Sequence, residues 1–282
     1  MRTRTKLNKL ISFLIIILIP LIPFLAWQNN DIGVSHSDYY NNLIPKEFNN
    51  FKILQVSDLH NKLLGTHQAR LLKHIRNFSP DIIVITGDII DRNNSNMNNA
   101  IEFIKGAIDI APIYYVSGNH EHDSSLYEDL LLKLKYYGVH ILNDKKLALQ
   151  KNDSTINLIG MSDPTFSNSD YNLFFEKLKT LVQTDQFNLL LSHRPELMVG
   201  YAEEEIDLVF SGHAHGGQIR IPFIGGLISP HQGFFPKYTN GKYEINETTM
   251  YVSRGLGNSI FPIRLFNRPE IVAVTLHNGN SK

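Results

Sequence analysis

Four short apolar runs constrain what this chain can fold into. Residues 51–56, 82–86, 113–116 and 187–191 are almost continuously hydrophobic, and each stops at a cluster of polar side chains. Runs of this length without alternation read as strands buried on both faces, the pattern of a sheet covered by helices. Between them Leu71, Ile75 and Phe78 recur at helical spacing, as do Phe174, Leu178 and Leu181, so the chain is predicted to be α/β. Further runs at 156–160, 208–211, 218–221, 250–253 and 271–276 have fewer intervening helices. The second half should therefore be richer in β structure. With 43% hydrophobic and 19% charged residues, the chain can bury a sizeable core, and one main domain over residues 51–282 is expected.

The first 50 residues have another character. Arg2, Arg4, Lys6 and Lys9 precede an almost uncharged apolar run over residues 10–27, about the roughly 20 residues that a helix needs to cross a bilayer. Residues 1–9 read as a basic cytoplasmic terminus and residues 10–27 as an uncleaved signal-anchor, with Pro20 and Pro23 tolerable within a membrane helix. A cleaved signal peptide, giving a secreted form, is the competing reading. In either case the charge asymmetry keeps the basic end in the cytoplasm and exports the rest. Residues 28–50 are polar and turn-rich and read as a spacer.

The polar clusters carry the chemistry. Asp58 and His60 follow the first run, Asp88 the second, Asn119 and His120 the third, and His193 the fourth; His213 and His215 follow 208–211. In open α/β sheets, ligands bind beyond the carboxyl ends of the strands, so these groups should converge. Singly, each piece has an ordinary explanation as a turn, a helix cap or a flexible loop; five such ends in order point to a metal site. The chain has no cysteine, so its donors are imidazole, carboxylate and amide oxygen, a set that suits manganese, iron or zinc.

These residues resemble the calcineurin-like metallophosphoesterase superfamily, whose pattern is D-x-H, G-D-x-x-[DN], G-N-H-[DE], a single His, and G-H-x-H. Here the corresponding segments are Asp58-Leu59-His60, Gly87-Asp88-Ile89-Ile90-Asp91, Gly118-Asn119-His120-Glu121, Ser192-His193 and Gly212-His213-Ala214-His215. Residues 216–222 and 253–257 look like a membrane-associated bacterial branch of it. The resemblance implies a four-layer α-β-β-α sandwich of two packed mixed sheets flanked by helices, here preceded by the expected transmembrane helix. It implies two divalent ions, with manganese favoured. Asp58, His60 and His215 would hold one ion, Asn119, His193 and His213 the other, and Asp88 would bridge both. A water activated by the ions would be the nucleophile, and His120 would contact phosphate and act as general acid, or else merely orient a ligand. Asp91 and Glu121 read as carboxylates supporting His120 and the neighbouring loops.

Arg92, Arg194, Arg220 and Arg254 are candidates for gripping phosphate oxygens, Arg254 foremost because it lies in a glycine-bracketed loop; a structural salt bridge is the alternative for each. The expected activity is hydrolysis of a phosphoester or pyrophosphate bond on a membrane lipid, a lipid-linked substrate or a small phosphorylated molecule. A broad phosphodiesterase merely tethered to the membrane is the alternative, and a non-catalytic scaffold a third reading. Lys+Arg and Asp+Glu both number 27, and no basic, aromatic-interleaved stripe marks a nucleic-acid partner. Residues 221–243, rich in Gly, Pro and Phe, read either as an apolar rim touching lipid or as packing over the second sheet.

Overall fold

The computed structural model describes residue 6 and residues 19–258 and 262–280. Two six-stranded mixed sheets pack face to face with helices on their outer surfaces, as expected. The first contains β1 (Gly33–Asn41), β2 (Phe51–Val56), β3 (Ile82–Thr86), β4 (Ile113–Val116), β5 (His140–Ile141) and β16 (Glu270–Asn278), in the order β1-β16-β2-β3-β4-β5. The second contains β6 (Lys145–Lys151), β7 (Ser154–Gly160), β8 (Asn188–Leu191), β9 (Leu208–Ser211), β14 (Gly241–Ile245) and β15 (Thr248–Val252), in the order β14-β15-β9-β8-β7-β6. Between β9 and β14 the chain makes two small hairpins, β10 (Arg220–Ile221) with β11 (Gly225–Gly226), and β12 (Ile228–Ser229) with β13 (Gly233–Phe234).

The near-continuous hydrophobicity of the central strands follows from their burial on both faces. On β2, Ile53 faces the layer between the sheets with Leu189, Leu191 and Phe210, while Leu54 and Val56 face the helices α2 (Ala69–Phe78) and α3 (Asn98–Ile108). On the far side, Leu190 and Val209 pack against Phe174 and Leu178 of α6 (Tyr171–Leu181). The remaining helices are short: α4 (Asn119–His122), α5 (Tyr127–Tyr136) and α7 (Met198–Glu203).

Register decides where the site forms. Val56 pairs with Ile85, and Thr86 with Val116, so the parallel strands β2, β3 and β4 end almost level. Leu191 likewise pairs with Phe210 at the ends of β8 and β9. Gln55 ties the two sheets together just below these ends, its side-chain amide donating to Thr86 Oγ1 at 2.8 Å and to Ser211 O at 2.9 Å.

One expectation for the N-terminal region needs revising. Residues 28–50 are not a plain spacer: β1 pairs in parallel with β16 along its whole length, from Gly33 with Glu270 to Asn41 with Asn278. Tyr39 is buried there, its hydroxyl donating to Asp207 O at 3.1 Å. Because β1 is an edge strand with mostly half-exposed residues, its sequence lacks the apolar signal of the central strands. Of the expected anchor, residues 10–18 lie outside the described residues, and residues 19–30 are helical (α1). Among the described residues no helix is long and apolar enough to cross a membrane.

If β1 is integral to the core, Tyr39→Ala should cost about 3–5 kcal/mol, as for other large buried aromatics. Urea unfolding of the purified protein checks this; a change near zero would return the segment to the status of a spacer.

Candidate metal centre

Five of the seven proposed ligands sit just beyond a strand end on a sharply turned backbone. Asp58, His60, Asp88, His213 and His215 all have positive φ, at 50°, 48°, 55°, 65° and 46°. Such left-handed conformations are uncommon outside glycine, with Asn, Asp and His enriched among the exceptions, and they concentrate at functional sites. Gly87 has a φ of 88°, and a Cβ there would stand 2.6 Å from Gly118 N and 2.7 Å from His193 Nδ1. Any side chain would therefore force apart the loops after β3, β4 and β8. A Cβ on Gly118 would collide with Asp88 Oδ1.

The side chains meet as two groups that share Asp88. In one, His215 Nε2 lies 3.3 Å from Asp58 Oδ1 and 3.1 Å from His60 Nε2, which is 3.8 Å from Asp88 Oδ2. In the other, His193 Nε2 lies 3.2 Å from Asp88 Oδ2 and 3.1 Å from His213 Nδ1. Asn119 is nearly buried, and its Oδ1 is fully buried without a hydrogen-bond partner.

Neighbours fix which ring nitrogens carry lone pairs. His193 Nδ1 donates to Thr86 O at 2.7 Å, leaving Nε2 free to face Asp88. His213 Nε2 is 2.9 Å from His231 Nδ1; the tautomer with its proton on Nε2 leaves the Nδ1 lone pair facing His193 Nε2. Buried imidazole nitrogens in contact, an orphaned amide oxygen and two buried carboxylates form a donor set lacking positive charge, which suits divalent cations.

The electrostatics agree. Burial pushes the Asp58 carboxyl up to about 6 and the His60 imidazole down to about 3. Burial also opposes ionisation of Asp88, yet His193 overrides it and holds Asp88 well below the ordinary carboxylate range. Against burial, Asp88 in turn raises His193 to about 10. Asp88 thus demands a cationic neighbour, and one proton on His193 is the simplest that the chain itself can provide.

Glu121 is fully buried and accepts from the backbone N–H groups of Asp88 at 2.7 Å, Gly118 at 2.8 Å and Ile90 at 3.2 Å. It holds the loops after β3 and β4 together. Asp91 stands 3.6 Å from both His60 Nδ1 and His120 Nδ1, between a proposed ligand and the proposed acid. His120 donates its backbone N–H to Asp88 Oδ1 at 2.8 Å, and its Nε2 lies 3.0 Å from the Arg92 guanidinium.

The arginines fall differently from the expected ranking. Arg254 is engaged by the buried carboxylate of Glu270, at 2.9 Å from its guanidinium and 3.0 Å from its backbone N–H. A buried carboxylate needs such a partner, so the structural salt bridge describes Arg254 better than a phosphate grip. Arg220 donates to Gly216 O and Thr239 Oγ1. Arg92, beside His120, and Arg194 are the two at the site. Arg194 is buried, paired with Asp163 at 2.5 and 2.8 Å, with Nη1 3.2 Å from His213 Nε2 and 2.7 Å from His231 Nδ1. His231 was not singled out from sequence. A lone histidine in a loop has no spacing signal, and only its place in the turn-rich 221–243 stretch marks it.

Comparison with known proteins agrees with this geometry. Residues 51–217 match the family described as calcineurin-like phosphoesterase. The uncharacterized metallophosphoesterase YkuE of Bacillus subtilis is 32% identical over 84% of this chain and 83% of its own. The uncharacterized metallophosphoesterase Cj0846 of Campylobacter jejuni is 30% identical over 98% of this chain and 72% of its own. The phosphodiesterase YaeI of Escherichia coli is 26% identical over 80% and 82%. The chain belongs to the calcineurin-like phosphoesterase family. It is an enzyme, a dinuclear metal-dependent phosphoesterase.

Glu121→Ala would leave three buried N–H groups unpaired, each worth about 1–3 kcal/mol. The variant should lose at least about 2 kcal/mol of stability in urea. An unchanged midpoint would show that Glu121 does not brace the two loops.

Proposed function

We propose that the ions are held by Asp58, His60 and His215 on one side and by Asn119, His193 and His213 on the other, with Asp88 common to both. The observation that carries this reading is the position of Asp88 Oδ2, 3.2 Å from His193 Nε2 and 3.8 Å from His60 Nε2, between the two groups of imidazoles. Bound divalent ions supply a water acidified to near neutrality and offset charge on the phosphoryl oxygens. The family resemblance favours manganese, and the oxygen and imidazole donor set accommodates it as it does iron or zinc.

The chain's own residues supply the rest. Thr86 O fixes the tautomer of His193, and Glu121 fixes the loop carrying Asp88. Arg92 orients His120 and offers N–H donors to a phosphate oxygen there. Burial, followed by the Arg92 charge, lowers the His120 pKa even though Asp88 and Asp91 oppose this. A substrate phosphate against the ring would favour its protonated form, and His120 would then deliver that proton to the leaving oxygen.

The substrate is a phosphodiester or pyrophosphate on a membrane-proximal or lipid-linked molecule. Its support is the apolar run over residues 10–27 joined directly to the catalytic domain, together with the phosphodiesterase name carried by the YaeI relative. The positive-inside bias puts the catalytic domain on the extracytoplasmic side. A phosphodiesterase tethered to the membrane but acting on soluble esters is the second reading, favoured by the openly polar character of the centre.

Chelation should abolish hydrolysis, with manganese restoring it, and Asp88→Asn should lower both metal content and turnover severely. Metal analysis alongside turnover tests this; near-normal turnover by metal-free protein would sink the mechanism. His120→Asn should retain both ions yet lose about 10²–10⁴-fold in turnover on an alkyl ester, and less on an activated aryl ester. Equal losses on the two esters would argue against proton delivery.

A further inference from the structure

The hairpins between β9 and β14 expose large apolar side chains to an extent that the fold itself does not require. Phe223 is 109% exposed, Phe234 71%, Ile224 65% and Phe235 64%. Phe223, Phe235 and Phe266 moreover adopt left-handed backbone conformations, with φ of 66°, 51° and 51°. A bulky residue is a conformational outlier there, where turns ordinarily place Gly, Asn or Asp. At Phe223 and Phe235, strain and exposure together gain little from packing, so the use of these side chains lies outside the folded chain.

These residues form one continuous edge. Arg220, Phe223, Ile224 and Phe266 line a common depression, and Ile224 and Phe235 line its neighbour. Phe266 packs edge-on against Phe24 of α1 at 5.9 Å. α1 is pinned to the same loop by Asn29 Oδ1, which accepts from Arg264 N at 3.0 Å, and by Arg268, whose guanidinium lies 5.0 Å from the Trp27 ring. Ile19 and Ile22 extend the edge at 67% and 66% exposure, and the sequence before them is the apolar stretch 10–18.

We infer that this edge, formed by α1, the β10–β11 and β12–β13 hairpins and residues 262–266, lies on the phospholipid bilayer. The inference rests on the reading of a membrane-tethered enzyme given above. Two observations select a bilayer as the occupant. The edge is continuous with the apolar N-terminal run, and the three segments that build it carry no carboxylate side chain. No Asp or Glu occurs in residues 19–30, 220–234 or 262–266. An apolar edge free of carboxylates enters the acyl and headgroup layers without desolvating an anion. The same lobe carries His231 on the metal centre, 2.9 Å from His213 Nε2, so docking brings that centre to the membrane surface.

Trp27 is the sole tryptophan, which allows a direct test on the full-length protein. In a Trp27→Phe background, Phe223→Trp is reconstituted in vesicles of phosphatidylcholine and phosphatidylglycerol with brominated acyl chains. Flotation and hydrolysis of a soluble aryl phosphodiester with manganese are measured in parallel. The introduced tryptophan should lose most of its emission, whereas Tyr136→Trp, at a position 83% exposed on α5, should keep its emission. Floating, active protein with an unquenched Phe223→Trp overturns the docking edge and leaves the reading of the catalytic centre intact. A blue-shifted but unquenched signal marks contact with a second copy or another protein and overturns it equally, as does failure to float. Quenching without turnover supports the edge and counts against the catalytic reading alone.

Discussion

The buried carboxylate of Asp88 is the constraint around which the structure is arranged. Its oxygens face imidazoles from both sheets, accept the backbone N–H of His120, and sit on a loop whose own N–H is capped by Glu121. A charge this deep persists only with strong partners. Two sheets ending level, glycines at Gly87 and Gly118, and the tie from Gln55 to Ser211 all bring those partners within reach. A pair of cations held there would take over from the His193 proton the balancing of this buried charge.

Much of this was legible in the sequence because buried parallel strands announce themselves. The runs 51–56, 82–86 and 113–116 coincide with β2, β3 and β4, and the polar residues after them had to emerge at one edge. β1 escaped notice for the opposite reason. As an edge strand its residues alternate among Ser, His and Tyr, and only pairing with β16, more than two hundred residues away, gives it a strand's environment. Sequence leaves both readings of Arg254 open because it shows a charge but not the buried Glu270 that answers it. His231 reaches the centre through the tertiary path of a hairpin, which no local pattern encodes.

Glu121 shows how a carboxylate can support chemistry without meeting substrate. Its three backbone bonds stiffen the Asp88 loop, while burial, reinforced by Asp88, raises its pKa to about 8. The chain bears that electrostatic strain in exchange for a fixed loop, a trade seen where positioning matters more than stability.

The left-handed backbone at Asp58, Asp88 and His213 also bears on how substitutions there are read. Coordination calls for carboxylate and imidazole, and the same residue types are among the few non-glycine ones that tolerate that conformation. Ligand chemistry and backbone preference therefore select the same amino acids at the same places. Replacement by alanine removes a donor and misfits the turn together, so its effect cannot be apportioned. Asn in place of Asp changes the donor while keeping the conformational tolerance, which makes the amide the cleaner probe at every turned carboxylate of this centre.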